Sequence, residues 1–189
     1  MKNPGILGGF VPLIVYGILT GISIPVPAAL GAAAALTVLF GIPDLRKGRI
    51  LTWANLLLFG GLFLAAGVFG MTGLVPWTGV VIYTALAAVT FGSLLAGIPF
   101  TLQYAREMVD RTLWKNPVFL RVNVFMTAVW GGIFAVNLLL TFITLVAPHV
   151  PGWTTGPLTY LVLIAGIVFT IWYPGHVRKR AQSGDRNTG

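Results

Sequence analysis

Three long runs without a single Lys, Arg, Asp or Glu dominate the chain: residues 3–43, 50–105 and 122–177. One membrane crossing takes about 20 mainly apolar residues, so each run is too long for one span and suits two. Leu56-Leu57-Leu58-Phe59 and Ala85-Leu86-Ala87-Ala88-Val89 lack the period-two alternation of a membrane β-barrel. In hydrocarbon the backbone must satisfy its own polar groups, so the runs are predicted to be helices. Proline and glycine punctuation divides them into six, at about 6–24, 28–42, 51–70, 78–98, 122–147 and 157–173. Pro25 and Pro27 are expected to end the first helix, Pro43 the second, Pro99 the fourth and Pro174 the sixth. The second is then short for a span. Residues 71–77 and 148–153 read as turns.

The same punctuation hints at a repeat. Gly41-Ile42-Pro43, Gly97-Ile98-Pro99 and Tyr173-Pro174 each precede an arginine, at Arg46, Arg106 and Arg178. Three matched helical hairpins would give this pattern, and so would six independent helices. Between the fourth and fifth helices, Leu102, Ala105, Val109 and Leu113 recur at helical spacing, with Arg106, Asp110 and Lys115 on other faces. An amphipathic helix over 101–115 on the membrane surface, broken at Asn116-Pro117, is the expectation; a solvated charged loop is the alternative.

Composition sharpens the class. The chain is 57% hydrophobic and 8% charged, against about 25% charged in soluble domains. Its twelve Lys and Arg residues against four acids give a net charge of +8. All twelve fall at Lys2, within 46–49, within 106–121 and within 178–186, hence on one side of a six-span topology. The positive-inside rule then puts both termini in the cytoplasm. Trp53, Trp114 and Trp172 fall near the inner interface and Trp77 and Trp153 near the outer one, the depth indole prefers. The basic residues are accounted for by anionic headgroups of the inner leaflet, and no nucleic-acid partner is expected. Residues 1–28 fit a signal peptide only loosely, because a second span follows at once; no cleavage is expected. The expected architecture is an all-α polytopic integral membrane protein: a transmembrane domain over 1–177, with an inner-surface segment at 100–121, and a basic cytoplasmic tail over 178–189.

The fifth helix carries the strongest candidate site. Asn123, Thr127, Trp130, Asn137, Thr141 and Thr144 fall within one narrow arc at about 100° per residue, with Phe134 among them. A polar stripe along a span must face protein or water. It is either packing glue between helices or one wall of a solute cavity. Tyr16 on the first helix, Asn55 on the third, and Tyr83, Thr90 and Ser93 on the fourth are the residues expected to face it. Arg106, Arg111, Trp114, Lys115 and Arg121 form the expected inner-surface contact.

Several chemistries are disfavoured. No ionisable residue lies deep in a span, as proton relays and voltage sensors require. The absence of cysteine removes disulfides, thiolate metal sites and thiol nucleophiles. His149 and His176 fall at opposite ends and cannot share a metal or haem. Asp44, Glu107 and Asp110 each have a basic neighbour and read as interfacial ion pairs. No cofactor, metal or catalytic constellation is expected.

The order of Phe59-Gly60-Gly61, Pro76-Trp77, Tyr83, Gly92-Ser93, Pro99, Trp114, Arg121-Val122-Asn123, Trp130, Phe134 and Asn137 resembles the bacterial intracellular septation protein A family of inner-membrane proteins. The likeness covers roughly residues 59–140, and residues 99–107 look like those of a divergent branch. It implies a multi-span inner-membrane protein that supports envelope integrity, septation or membrane homeostasis, with partners in the division and elongation machinery. It implies no catalytic residue. The alternatives from the residues themselves are a transporter or channel for a small neutral or amphiphilic solute, and an accessory subunit of a larger membrane complex.

Overall fold

The computed structural model describes residues 6–147, 149–150 and 152–186, and the side chains of all but 6, 7, 153 and 178–186 among them. Lys2, the turn residues Pro148 and Pro151, the Trp153 side chain and the charged side chains of the tail therefore lie outside the described residues. Among the described residues seven helices follow in order: α1 (Ile6–Gly21), α2 (Val26–Arg46), α3 (Ile50–Phe63), α4 (Thr78–Leu95), α5 (Phe100–Ala105), α6 (Pro117–Val146) and α7 (Gly152–Arg186). α3 runs on into a π-helical turn, Leu64–Val68, and a 3-10 turn, Thr72–Trp77, leads into α4. No strand occurs among the described residues.

Five segments are long and apolar enough to cross a membrane: Val26–Arg46, Ile50–Val68, Thr72–Leu95, Pro117–Val146 and Thr154–Val177. Gly8–Gly21 is a shorter apolar helix. Leu39, Phe40, Leu57, Phe69, Leu95 and Ile171 lie exposed on the exterior. Such a surface suits contact with lipid.

The helix ends differ from the proline reading. α2 passes through Pro43 to Arg46 and is a full 21 residues, not a short span. α7 passes through both Pro157 and Pro174 and continues to Arg186, so the expected boundary between span and tail at 177/178 falls inside one helix. A proline removes one backbone bond, whereas a chain end in an apolar medium strands up to four carbonyls. The observed stops are residues with positive φ: Ser23 (65°), Gly48 (67°), Gly70 (66°) and Gly97 (69°). At Gly97 the Ile98 N–H donates to Ser93 O at 2.9 Å, and at Gly48 the Arg49 N–H donates to Asp44 O at 3.0 Å. Both are six-to-one closures that satisfy orphan carbonyls. Asn116-Pro117 starts a helix rather than breaking one. The Asn116 side chain accepts from Val118 N at 2.8 Å and Phe119 N at 3.3 Å, with Pro117 in the first turn, so α6 begins five residues earlier than expected.

The expected surface helix over 101–115 is not formed. Its first part is α5, whose Phe100, Thr101, Leu102 and Tyr104 are buried in the bundle. Two separate 3-10 turns, Arg106–Met108 and Arg111–Leu113, follow. α5 is held from within: Ser93 Oγ accepts from Phe100 N at 3.2 Å, and Thr101 Oγ1 donates to Asn123 O at 2.8 Å.

The most extensive pairing is α4 on α6, followed by α2 on α3, α1 on α2 and α6 on α7. At the centre, Phe10 of α1 stacks on Trp130 of α6 with centroids 4.0 Å apart. Phe134 tilts against Trp130 at 5.6 Å, and Phe100 meets Phe10 edge-on at 6.5 Å. Trp130 Nε1 donates to Thr170 Oγ1 of α7 at 3.0 Å. Gly166 admits this arrangement, since a Cβ there would lie 2.5 Å from Ile133 Cδ1 and 3.1 Å from the Trp130 ring. Gly166→Val is therefore expected to cost about 1–3 kcal/mol by overpacking. Gly132→Val, on the exposed side of α6 with nothing within 4 Å of its Cβ position, is expected to change stability by only a few tenths, in the stabilising direction. Thermal unfolding of the two variants in one detergent checks the contrast.

Candidate functional site

The polar stripe of α6 divides into two parts. Its first four residues are dry packing. Asn123 Nδ2 donates to Phe119 O at 2.9 Å, and Thr127 Oγ1 shares a hydrogen bond with Thr101 Oγ1 at 2.8 Å. Trp130 is enclosed as described. Asn137 is 0% exposed, and neither its Nδ2 nor its Oδ1 has a hydrogen-bond partner in the protein. Thr141 and Thr144, at the uncharged end, instead border a cavity of about 470 Å³ between α1, α4, α6 and α7.

The expected facing residues separate in the same way. Tyr16 and Tyr83 line the cavity. Thr90 and Ser93 are buried in the α4–α6 contact, where Ser93 Oγ donates to Thr90 O at 2.8 Å. Asn55 lies apart, donating to Gly9 O of α1 at 2.6 Å. Its Oδ1 is unpaired and borders a smaller cleft of about 250 Å³ between α1, α2 and α3.

Five threonines and three tyrosines line the main cavity, and no charged residue does. Thr20, Thr141 and Thr159 donate to carbonyls of their own helices at 2.9–3.1 Å. Thr144 and Thr155 bond each other at 2.7 Å. Tyr16 OH donates to Thr78 Oγ1 at 3.3 Å, and Tyr160 OH to Gly17 O at 2.7 Å. With their protons committed, the threonine oxygens offer lone pairs to whatever occupies the space. Tyr83, 6% exposed, lines the cavity beside them. Small residues keep the volume open: a Cβ at Gly152 or Gly156 would meet nothing within 4 Å. Leu13 and Leu163 belong to both the cavity wall and the core cluster and form its floor.

The basic end is closed by charge. Arg49, 4% exposed, bonds Asp44 Oδ1 at 2.9 Å and Glu107 Oε2, and its guanidinium lies 4.2 Å over the Tyr104 ring. Lys47 Nζ reaches Glu107 Oε1 at 2.8 Å. This network ties the α2–α3 turn to the segment after α5. The expected ion pairs of Asp44 and Glu107 are thus present, whereas Asp110 caps its own turn by accepting from Thr112 N at 2.9 Å. Of the expected inner-surface residues, Arg106 and Arg111 come together over Trp114, at 5.3 and 5.6 Å from its ring. Lys115 and Arg121 stand exposed beside them. No group of His, Asp and Glu among the described residues has metal-site geometry.

The hydrogen bonds from Arg49, and then from Lys47, hold the Glu107 carboxyl at about 2, down from 4.5. A carboxyl depressed on folding stabilises the fold above its unfolded value, and that contribution fades as pH falls from about 4.5 through about 2. Glu107→Gln is expected to cost about 1–2 kcal/mol at neutral pH, less than a fully buried pair because Glu107 is part-exposed. Its stability is also expected to fall less steeply between pH 5 and 2 (about the span of the two values). Melting curves of both proteins across that range check the sign.

The chain matches no protein-family model, no curated protein and no solved structure. Its likeness to the septation protein A family therefore rests on the residue order given above.

Proposed function

We propose that the chain is a six-span protein of the inner membrane, with both termini in the cytoplasm, that binds and moves a small uncharged or amphiphilic solute through the hydroxyl-lined cavity. The uncharged cavity lined by five threonines and three tyrosines carries this reading. Their hydroxyl groups can exchange hydrogen bonds with the polar part of a neutral solute. α1 serves as the sixth span. Its 16 residues reach about 24 Å, which local thinning of the bilayer accommodates. The clustering of Lys and Arg at one end supports the orientation, and the cavity then opens toward the outer side.

The envelope role implied by the resemblance is the second reading. One observation favours it: Tyr83, Ser93, Asn123, Trp130, Phe134 and Asn137, all part of that resemblance, are buried on α4 and α6. The two readings meet where the solute is an envelope lipid or its precursor.

Orientation is tested in intact cells with single cysteines, against the cysteine-free background. Cysteines at Gly73 and His149 should react with a membrane-impermeant maleimide added outside, and one at Lys115 only after lysis. Protection at either outer position overturns the topology. Binding is tested by native mass spectrometry of the purified protein. Wild type should carry a neutral organic molecule, and Gly156→Leu, at a lining position where a Cβ meets nothing within 4 Å, should lose about tenfold or more of it. Equal occupancy in both would sink the binding reading.

A further inference from the structure

Tyr160 of α7 lines the cavity and is 36% exposed. Tyr160 stands eight residues into α7, roughly 12 Å below that helix's end. With a hydrocarbon core of about 30 Å, what lies outside Tyr160 is acyl chain rather than water. The exposed Ile18, Leu161 and Ile164 flank it.

The seam is built to part. α1 and α7 pack on each other far less than α1 packs on α2 or α7 on α6. At this height Tyr160 OH donates to Gly17 O at 2.7 Å. The tyrosine ring lies flat on glycine: a Cβ at Gly17 would be 2.7 Å from Tyr160 Cε1, and one at Gly21 3.6 Å from its hydroxyl. Gly17 O also accepts from Thr20 Oγ1 at 3.0 Å, so it stays bonded when Tyr160 leaves. A turn of the ring into the cavity costs one neutral hydrogen bond.

We propose that the cavity takes a neutral, single-chain amphiphile with a hydroxyl-bearing head directly from the outer leaflet, through a side door between α1 and α7 whose leaf is Tyr160. This rests on the binding reading above and adds the ligand class and its route. The head meets Tyr83 and the threonine acceptors, and the chain trails through the seam into lipid. A charged head finds no counter-ion there, so its desolvation goes uncompensated.

The test uses proteoliposomes containing a photoreactive (diazirine) monoacylglycerol, with labelling of the Tyr83 peptide read by mass spectrometry. Tyr160→Phe should speed labelling roughly fivefold, the change one neutral hydrogen bond supports. In the double variant Gly17→Cys/Tyr160→Cys, a short disulfide-cleavable bis-thiol linker should suppress labelling about tenfold, and reductant should restore it. The phosphorylated analogue of the probe should label poorly throughout. Undiminished labelling of the linked protein overturns the side door and leaves the binding reading standing. Equal labelling by the charged probe overturns the ligand class. Failure to label the Tyr83 peptide in any form overturns both the door and the binding reading.

Discussion

The contact of Phe10 on Trp130 holds the bundle in register. It joins α1 to α6, while the indole N–H reaches α7 and Phe100 brings α5 against the same cluster. In lipid there is little hydrophobic gain from pairing helices, so association depends on close packing and a few internal hydrogen bonds. Trp130 supplies both. It is wide enough to fill the space between three helices, and its one polar atom is satisfied by Thr170. The cavity exists because this plug stops below Leu13 and Leu163. Above them the lining is mainly glycine, threonine and three tyrosines.

Helical periodicity made the α6 stripe legible, because one arc of residues must share one neighbourhood. It did not reveal that the neighbourhood changes halfway up. Asn123 and Thr127 meet α5, a short helix that folds back into the bundle, and nothing in the 101–115 pattern distinguishes that from a helix on the surface. The cavity's other walls were hidden for a different reason. Thr155 lies between the turn expected at 148–153 and the helix expected from 157, whereas α7 already runs through it, and Thr159 and Tyr160 follow on that helix. Gly152 and Gly156 act by what they lack, and a missing side chain leaves no trace in a hydropathy pattern.

The all-helical, apolar character of the chain was readable, and helix ends were not. Prolines mark ends in water, where an exposed carbonyl is solvated at no cost. In hydrocarbon the balance reverses: losing one bond at Pro43, Pro157 or Pro174 is cheaper than stranding a helix terminus. The ends fall instead where glycine, or Ser23, turns to positive φ and closes the last carbonyls internally. The Arg49 network illustrates the same limit. Its acids and bases were visible as pairs, but the span from residue 49 to 107 became visible only once α5 was in place.

These features divide the molecule between a fixed end and a movable one. At the basic end, Arg49 is buried between two carboxylates and a tyrosine ring, and separating them would expose an uncompensated charge. At the uncharged end, α1 and α7 meet over glycine, where Tyr160 OH donates a neutral hydrogen bond to Gly17 O. Any conformational change of low cost must therefore open the uncharged end and pivot near the Trp130 plug. Asn137 sits in the same region, one turn from Thr141 at the cavity wall, with both amide atoms unpaired. A buried amide in that state raises the energy of the closed form. A rearrangement that gave it a partner would recover that energy, which biases motion toward the end where the cavity lies and away from the charged latch.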